Sequence, residues 1–195
     1  MLRSLLIVGV LPFLHPTAAV PQYVGTRHGF WLSAASGYGT AVPSCDTCGT
    51  LSQVGGLDLR IDLGGTLGPH WRLGAGVDAW RRWSSTGPVR VVTTLTPSLY
   101  YYPRVHRAFF IAGGIGLSEY RLQSGLQGAT SWGGTLGIGW TVPASRRLWF
   151  TPRATYVYAA PRTLRSLGGA LVASGWTQSV LSADVEVVLH QPDNR

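Results

Sequence analysis

The chain contains no lysine: its 16 basic residues are all arginine, set against 8 acids, for a net charge of +8. Charged residues make up only 12% of the sequence, about half the share of an ordinary soluble domain. A water-facing surface would be short of the charge that keeps it dissolved. The arginines are scattered or sit at turns, with no basic helix and no nucleic-acid motif, so no nucleic-acid partner is expected. There is also no apolar run long enough for a spanning helix, because Gly, Thr, Arg or Asp interrupts each one. No Walker motif, calcium loop or strand-to-helix phosphate turn occurs; the Gly-x-Gly repeats are spaced for strands.

Glycine is abundant at 26, apolar residues reach 45%, and there are 8 Trp and 8 Tyr. At 195 residues the chain is long enough for one domain with a core. Its start reads as a cleaved secretory signal over residues 1–19: Arg3 is the basic flank, Leu5 to Leu14 the apolar stretch, and Thr17-Ala18-Ala19 the small residues at the cut. The apolar stretch is broken by Pro12 and is too short to span a membrane comfortably. Residues 20–28 form a polar lead-in, and residues 191–195 a polar tail.

From Gly29 to His190 the sequence alternates with a period of two, which is the signature of strands with one apolar and one polar face. Leu57, Leu59, Ile61 and Leu63 oppose Asp58, Arg60 and Asp62. Eight such segments are expected: Phe30 to Gly39, Val54 to Leu63, His70 to Trp83, Val89 to Tyr102, Ala108 to Leu122, Ala129 to Val142, Arg147 to Ala159 and Trp176 to His190. Pro97, lacking an N–H, marks a weak point or a bulge in the fourth. The even-numbered connections are tight and carry Pro (Gly64 to Pro69, Pro103 to Arg107, Pro143 to Arg146). Long loops fall at Thr40 to Gln53 and Ala160 to Gly175. Tight turns on one rim, long loops on the other and an even strand count fit an all-β, eight-stranded, antiparallel, up-and-down transmembrane β-barrel.

The sixth segment decides which face is inside. Its polar face is Ser131, Gly133, Thr135, Gly137, Gly139 and Thr141. A strand facing bulk water would carry charge there, whereas small uncharged residues suit a crowded lumen. Turning every polar face inward places five acids (Asp58, Asp62, Asp78, Asp184, Glu186) and five bases (Arg60, Arg72, Arg90, Arg147, Arg153) in the interior. A buried charge without a partner is costly, so a balanced, ion-paired lumen is expected. Trp71, Tyr101, Phe109 and Trp140 then lie outward near the short-turn rim, and Tyr38, Trp132, Tyr156 and Tyr158 near the long-loop rim, as two interfacial belts.

With these features the chain resembles the small bacterial outer-membrane β-barrel proteins of the OmpA/OmpX/OmpW-like group. It is also similar to bacterial barrels that close strand one on Gly-Tyr-Gly (Gly37-Tyr38-Gly39) and carry Cys-x-x-Cys-Gly in the next loop (Cys45 to Gly49). The resemblance implies residence in the cell outer membrane, surrounded by lipid and lipopolysaccharide, insertion by the barrel-assembly machinery, and a monomer.

Cys45 and Cys48 are the only cysteines. In an oxidising compartment a local disulfide is the favoured state. Metal binding would need about four ligands, and no His lies in that loop; a redox role would need a helix N-terminus. No cofactor is expected. Resemblance to eight-stranded barrels that act on lipid A would require His and Ser near the long loops. Here only the acids Asp46 and Glu119 lie there, with no base beside a nucleophile, so no catalysis is expected. Arg81, Arg82, Arg121, Arg162 and Arg165 fall near the long-loop rim, either as solvated charge or as contacts to lipopolysaccharide phosphates. The expected role is structural or interactive, with a largely closed lumen. The alternatives are a narrow channel for small apolar or amphiphilic solutes, and a soluble exported ligand-binding barrel of lipocalin or avidin type with its apolar face inward.

Overall fold

The structure is a computed structural model, and it describes residues 29–82, 90–105, 108–122, 126–128, 130–145, 147–166 and 168–191, with no side-chain description for residues 90–93, 122 and 126–128. The expected signal and lead-in, and residues 192–195 of the expected tail, lie outside the described residues. Eight long strands build the wall: β1 (Phe30–Cys45), β2 (Val54–Thr66), β3 (Trp71–Arg82), β4 (Arg90–Tyr101), β5 (Phe109–Leu122), β6 (Ser131–Trp140), β7 (Leu148–Arg165) and β8 (Leu171–His190). Three short pieces, Gly49–Thr50, Leu126–Gly128 and Val142–Pro143, pair onto β1, β5 and β7 respectively. Every neighbour in the order is antiparallel, and β8 pairs with both β7 and β1, which closes the sheet into a barrel. Among the described residues each of the eight wall strands has a neighbour on both sides, so none is an edge strand. No helix long and apolar enough to cross a membrane is present among the described residues.

Alternation sets the faces. In β2, Asp58, Arg60 and Asp62 are buried, while Leu59, Ile61 and Leu63 are 45%, 59% and 53% exposed. The same outward apolar face recurs on every other wall strand, for example at Leu32, Leu73, Leu99, Ile115, Leu136, Phe150 and Leu181. The barrel is therefore inside out relative to a soluble protein. The soluble-barrel alternative needs these side chains turned inward, and they are not.

Four strands run past their expected ends: β2 by three residues at the short-turn rim, and β1, β7 and β8 further, at the long-loop rim. β1 runs on through Pro43 to Cys45, and its ladder with β8 extends from Trp31↔His190 to Ser44↔Thr177. β7 and β8 together replace most of the expected Ala160 to Gly175 loop by a hairpin whose connection is only residues 166–170. Pro161 and Gly175, which read as turn signals, sit instead at an irregular stretch: the β7–β8 register shifts between Ala159 and Arg162, and again between Arg162 and Thr163. A bulge tolerates a residue without an N–H. Pro97 behaves differently. The β4–β5 register lapses at Thr96 and Pro97 and resumes unchanged at Ser98↔Gly114, so the missing donor interrupts the ladder without a bulge.

Candidate functional site

The interior is layered. At mid-height Arg60 is the hub. Its Nη2 donates to Asp78 Oδ2, its Nη1 donates to Thr155 Oγ1 at 3.0 Å, and its Nε lies 3.9 Å from Asp62 Oδ2. Arg60 and Asp78 are register partners on β2 and β3, which explains the direct contact. Arg153, from the opposite wall, lies 3.9 Å from both Asp62 and Glu186 and donates to the Tyr100 hydroxyl at 3.4 Å. Gly37 is the register partner of both Asp58 and Asp184. Having no side chain, it leaves room for the two carboxyl groups to face one another. Ser182 Oγ donates to Asp184 Oδ2 at 3.0 Å.

An aromatic layer closes the short-turn end. Trp31 meets Tyr100 edge-on at 5.3 Å, and Phe110 packs on Tyr100 and Tyr102 at 5.7 and 5.5 Å. Arg72 is buried among them, its guanidinium carbon 5.9, 5.3 and 5.4 Å from the ring centres of Trp31, Tyr102 and Trp149. Its Nη2 lies 3.3 Å from His190 Nε2 across the lumen. The electron-rich ring faces supply attraction where no described carboxylate forms an ion pair with this arginine. A second apolar layer closes the other end: Trp80, fully buried, donates from Nε1 to Gly39 O at 3.1 Å, and Tyr120 packs on Trp176 at 5.3 Å above Val157 and Val180. Two interior cavities, one within the charged layer and one within the short-turn aromatic layer, measure about 10 Å³ each. Each has room for about one water.

Of the ten expected lumen charges, Asp58, Arg60, Asp62, Arg72, Asp78, Arg153, Asp184 and Glu186 are buried. Arg147 is not in the lumen: it shares the inward parity of Trp149 and Arg153 but is exposed in the turn, before β7 begins at Leu148. The Arg90 side chain lies outside the described residues. Among the described residues the interior thus holds five carboxyl groups and three guanidiniums rather than five of each. Ion pairs are also not the only closure, since aromatic layers lie above and below them. The sequence reading missed Trp31, Tyr102, Phe110, Trp149 and Trp176 as interior groups. Their parity could have found them: Trp149 shares a face with Thr151 and Arg153, and Phe110 shares one with Ala112.

Cys45 and Cys48 form a disulfide with Cα atoms 5.2 Å apart. It sits where β1 ends, beside the backbone bond from Asp46 N to Ser174 O at 3.2 Å. At the same rim the arginines fall into order. Arg81 faces Val91, Val91 faces Arg121, Arg121 faces Gln127, and Gln127 faces Arg165. Arg81, Arg121 and Arg165 are all exposed, so three guanidiniums share one row around the outside, about 10 Å apart at two strand spacings each. Arg121 forms a forked pair with Glu119 at 2.7 and 3.0 Å, and Arg165 Nη1 donates to Gly169 O at 3.0 Å. Arg82 and Arg162 lie at the same rim but off this row. Phe30, Trp71, Tyr101 and Trp140 are exposed at the short-turn rim, and Tyr38, Trp132, Tyr156 and Tyr158 lie towards the other.

No protein-family model and no curated protein matches the chain. Solved structures do. The Neisserial surface protein A superposes with a TM-score of 0.58 at 16% identity, covering 82% of this chain and 96% of that one. Ail, the attachment invasion locus protein of Yersinia pestis, gives 0.55 at 11% identity, covering 83% and 99%. Ail in complex with the heparin analogue sucrose octasulfate gives 0.53 at 10% identity, covering 83% and 99%. At these identities the likeness is one of fold, and the fold is that of small eight-stranded outer-membrane barrels.

Proposed function

We propose that the chain is a non-enzymatic protein of the bacterial outer membrane, with a closed lumen and a role in contact at the cell surface. One observation carries the reading: a continuous apolar face surrounds the barrel, and the charges are buried within it. Such a molecule is stable only where lipid covers its outside. In this orientation the short turns and both barrel termini are periplasmic, and the projecting β7–β8 hairpin is extracellular. The aromatic side chains at the two rims suit the two membrane interfaces.

The row of Arg81, Arg121 and Arg165 supports lipopolysaccharide as the immediate surroundings, because guanidinium forks match phosphate geometry. Ail, which shares the fold, binds a polysulfated sugar, and a rim rich in guanidinium suits the same class of densely charged saccharide. Entry into the membrane would go through the barrel-assembly machinery, and the barrel would act as a monomer. The test is fractionation of cells expressing the full chain, followed by gel migration with and without heating. Outer-membrane recovery and a faster unheated band are expected. Release with soluble protein in the absence of detergent would end the reading.

A further inference from the structure

Among the described residues the ladder between β6 and β7 lapses at one place. β6 pairs with β7 as far as Gly133↔Ala159. The next described pairing on that side of β7 is Leu164 with Gly128. Ala160, Pro161, Arg162 and Thr163 therefore have no described ladder partner there, along a stretch of roughly 13 Å. A groove of about 690 Å³ opens at this gap. It is lined by Trp132 and Gly133 on β6, by Tyr158, Ala160, Arg162 and Thr163 on β7, and by Ser174, Gly175 and Thr177 on β8 with Asp46 beside them; along β7, Arg162 and Thr163 lie nearer the long-loop rim than Tyr158. Trp132 is 70% exposed.

Arg162 is the unusual residue. It is the only described non-glycine residue with positive φ, at 58°, a conformation that non-glycine residues hold at a cost and that recurs at ligand clamps. Its side chain is exposed, and it makes no described hydrogen bond or ion pair. The bulge thus holds a free guanidinium at the upper end of an aromatic-sided groove. Below the groove the outward face is mainly apolar, with Leu136 and Ile138 on β6 beside Tyr156 on β7. A ligand seated here would meet, from top to bottom, a cation, hydroxyl groups and a carboxylate, an indole face, and then a greasy wall.

We propose that this groove binds one molecule of a phosphorylated, acylated saccharide of the outer leaflet. The phosphate would lie on the Arg162 fork. The sugar would stack on Trp132, its hydroxyls meeting Thr163 and Asp46, and the acyl chains would descend the wall past Leu136. The inference rests on the outer-membrane reading and narrows its lipid contact from a general rim to one site.

The experiment uses the full-length mature chain folded in detergent and native mass spectrometry, with diphosphoryl lipid A, its dephosphorylated form and inorganic phosphate as probes. One diphosphoryl lipid A is expected to remain bound to the wild type, with retention roughly tenfold lower for the dephosphorylated lipid. Excess inorganic phosphate is expected not to displace the lipid. Arg162→Gly relieves the backbone strain and is expected to fold at least as well, by heat-modifiable migration and thermal melting, yet to lose roughly tenfold in retention. Trp132→Leu is expected to weaken retention while leaving migration unchanged. A folded wild type with no lipid beyond statistical adducts, an Arg162→Gly variant with undiminished retention, or displacement by phosphate alone would each overturn the proposal. Failure of the membrane reading would look different, since no heat-modifiable band would form at all.

Discussion

Arg60 and Leu59 are adjacent, and the fold gives them opposite environments. Replacing Arg60 by Leu strands Asp78 and Asp62 in a buried interior, for which about 3–5 kcal/mol is expected. Leu59→Ala trims a side chain that faces lipid, and about 1 kcal/mol is expected. A urea refolding series in detergent or lipid measures both, and equal or reversed losses would contradict the assignment of faces. Glycine provides a second matched pair. A Cβ at Gly37 would land on the Asp184 carboxylate and the Ala183 carbonyl, whereas at Gly65 it would meet open space. Gly37→Ala is therefore expected to cost about 1–3 kcal/mol by overpacking, with Gly65→Ala within about 1 kcal/mol of neutral. At this scale the sequence reveals polarity more readily than bulk. Asp58, Arg60 and Asp62 announce an interior face through alternation. Trp31 and Trp149 do not, because a large apolar side chain on a polar-faced strand looks like an exception until the lumen is seen to need filling.

Strand identity was legible along the whole chain, because period-two alternation survives wherever one face meets lipid and the other a packed lumen. Strand ends were not. β7 continues six residues past Ala159, and β8 begins five before Trp176; Pro161 and Gly175 hid this by imitating turns. The extended hairpin carries a topological test. An epitope inserted between Gly168 and Gly169 is expected to bind antibody on intact cells, without loss of heat-modifiable migration. Labelling only after permeabilisation would reverse the orientation. The disulfide belongs to this scale too. It closes a very short loop, so its entropic contribution is about 2 kcal/mol at most, and the long β1–β8 ladder holds the same segment independently. Cys45→Ser with Cys48→Ser is expected to lower thermal stability slightly and to leave migration unchanged.

For the molecule as a whole, three packed groups cross the lumen in series: the aromatic group around Arg72, the ion pairs around Arg60, and the apolar group around Trp80; the proposed closed lumen rests on all three. Trp80→Ala or Arg72→Ala alone should therefore leave a protein that passes no current in planar bilayers, while each still destabilises the fold by an amount refolding can read. Unitary currents from either single variant would show that the remaining two layers do not seal. The charged middle was legible from composition and parity. The aromatic caps share the inward parity, as Trp149 does with Arg153, but parity alone does not tell a residue that fills a pore from one that lines it.

The strands also differ in length around the circumference, from 10 residues at β6 to 20 at β8. A body whose β7–β8 hairpin stands out on one flank has no rotational equivalence in the plane of its membrane. Any large molecule approaching from outside would meet a different landscape at each compass bearing. Whatever engages this protein at the surface would have to arrive from a preferred azimuth, and a crowd of copies would present that direction at random unless something else turned them to face the same way.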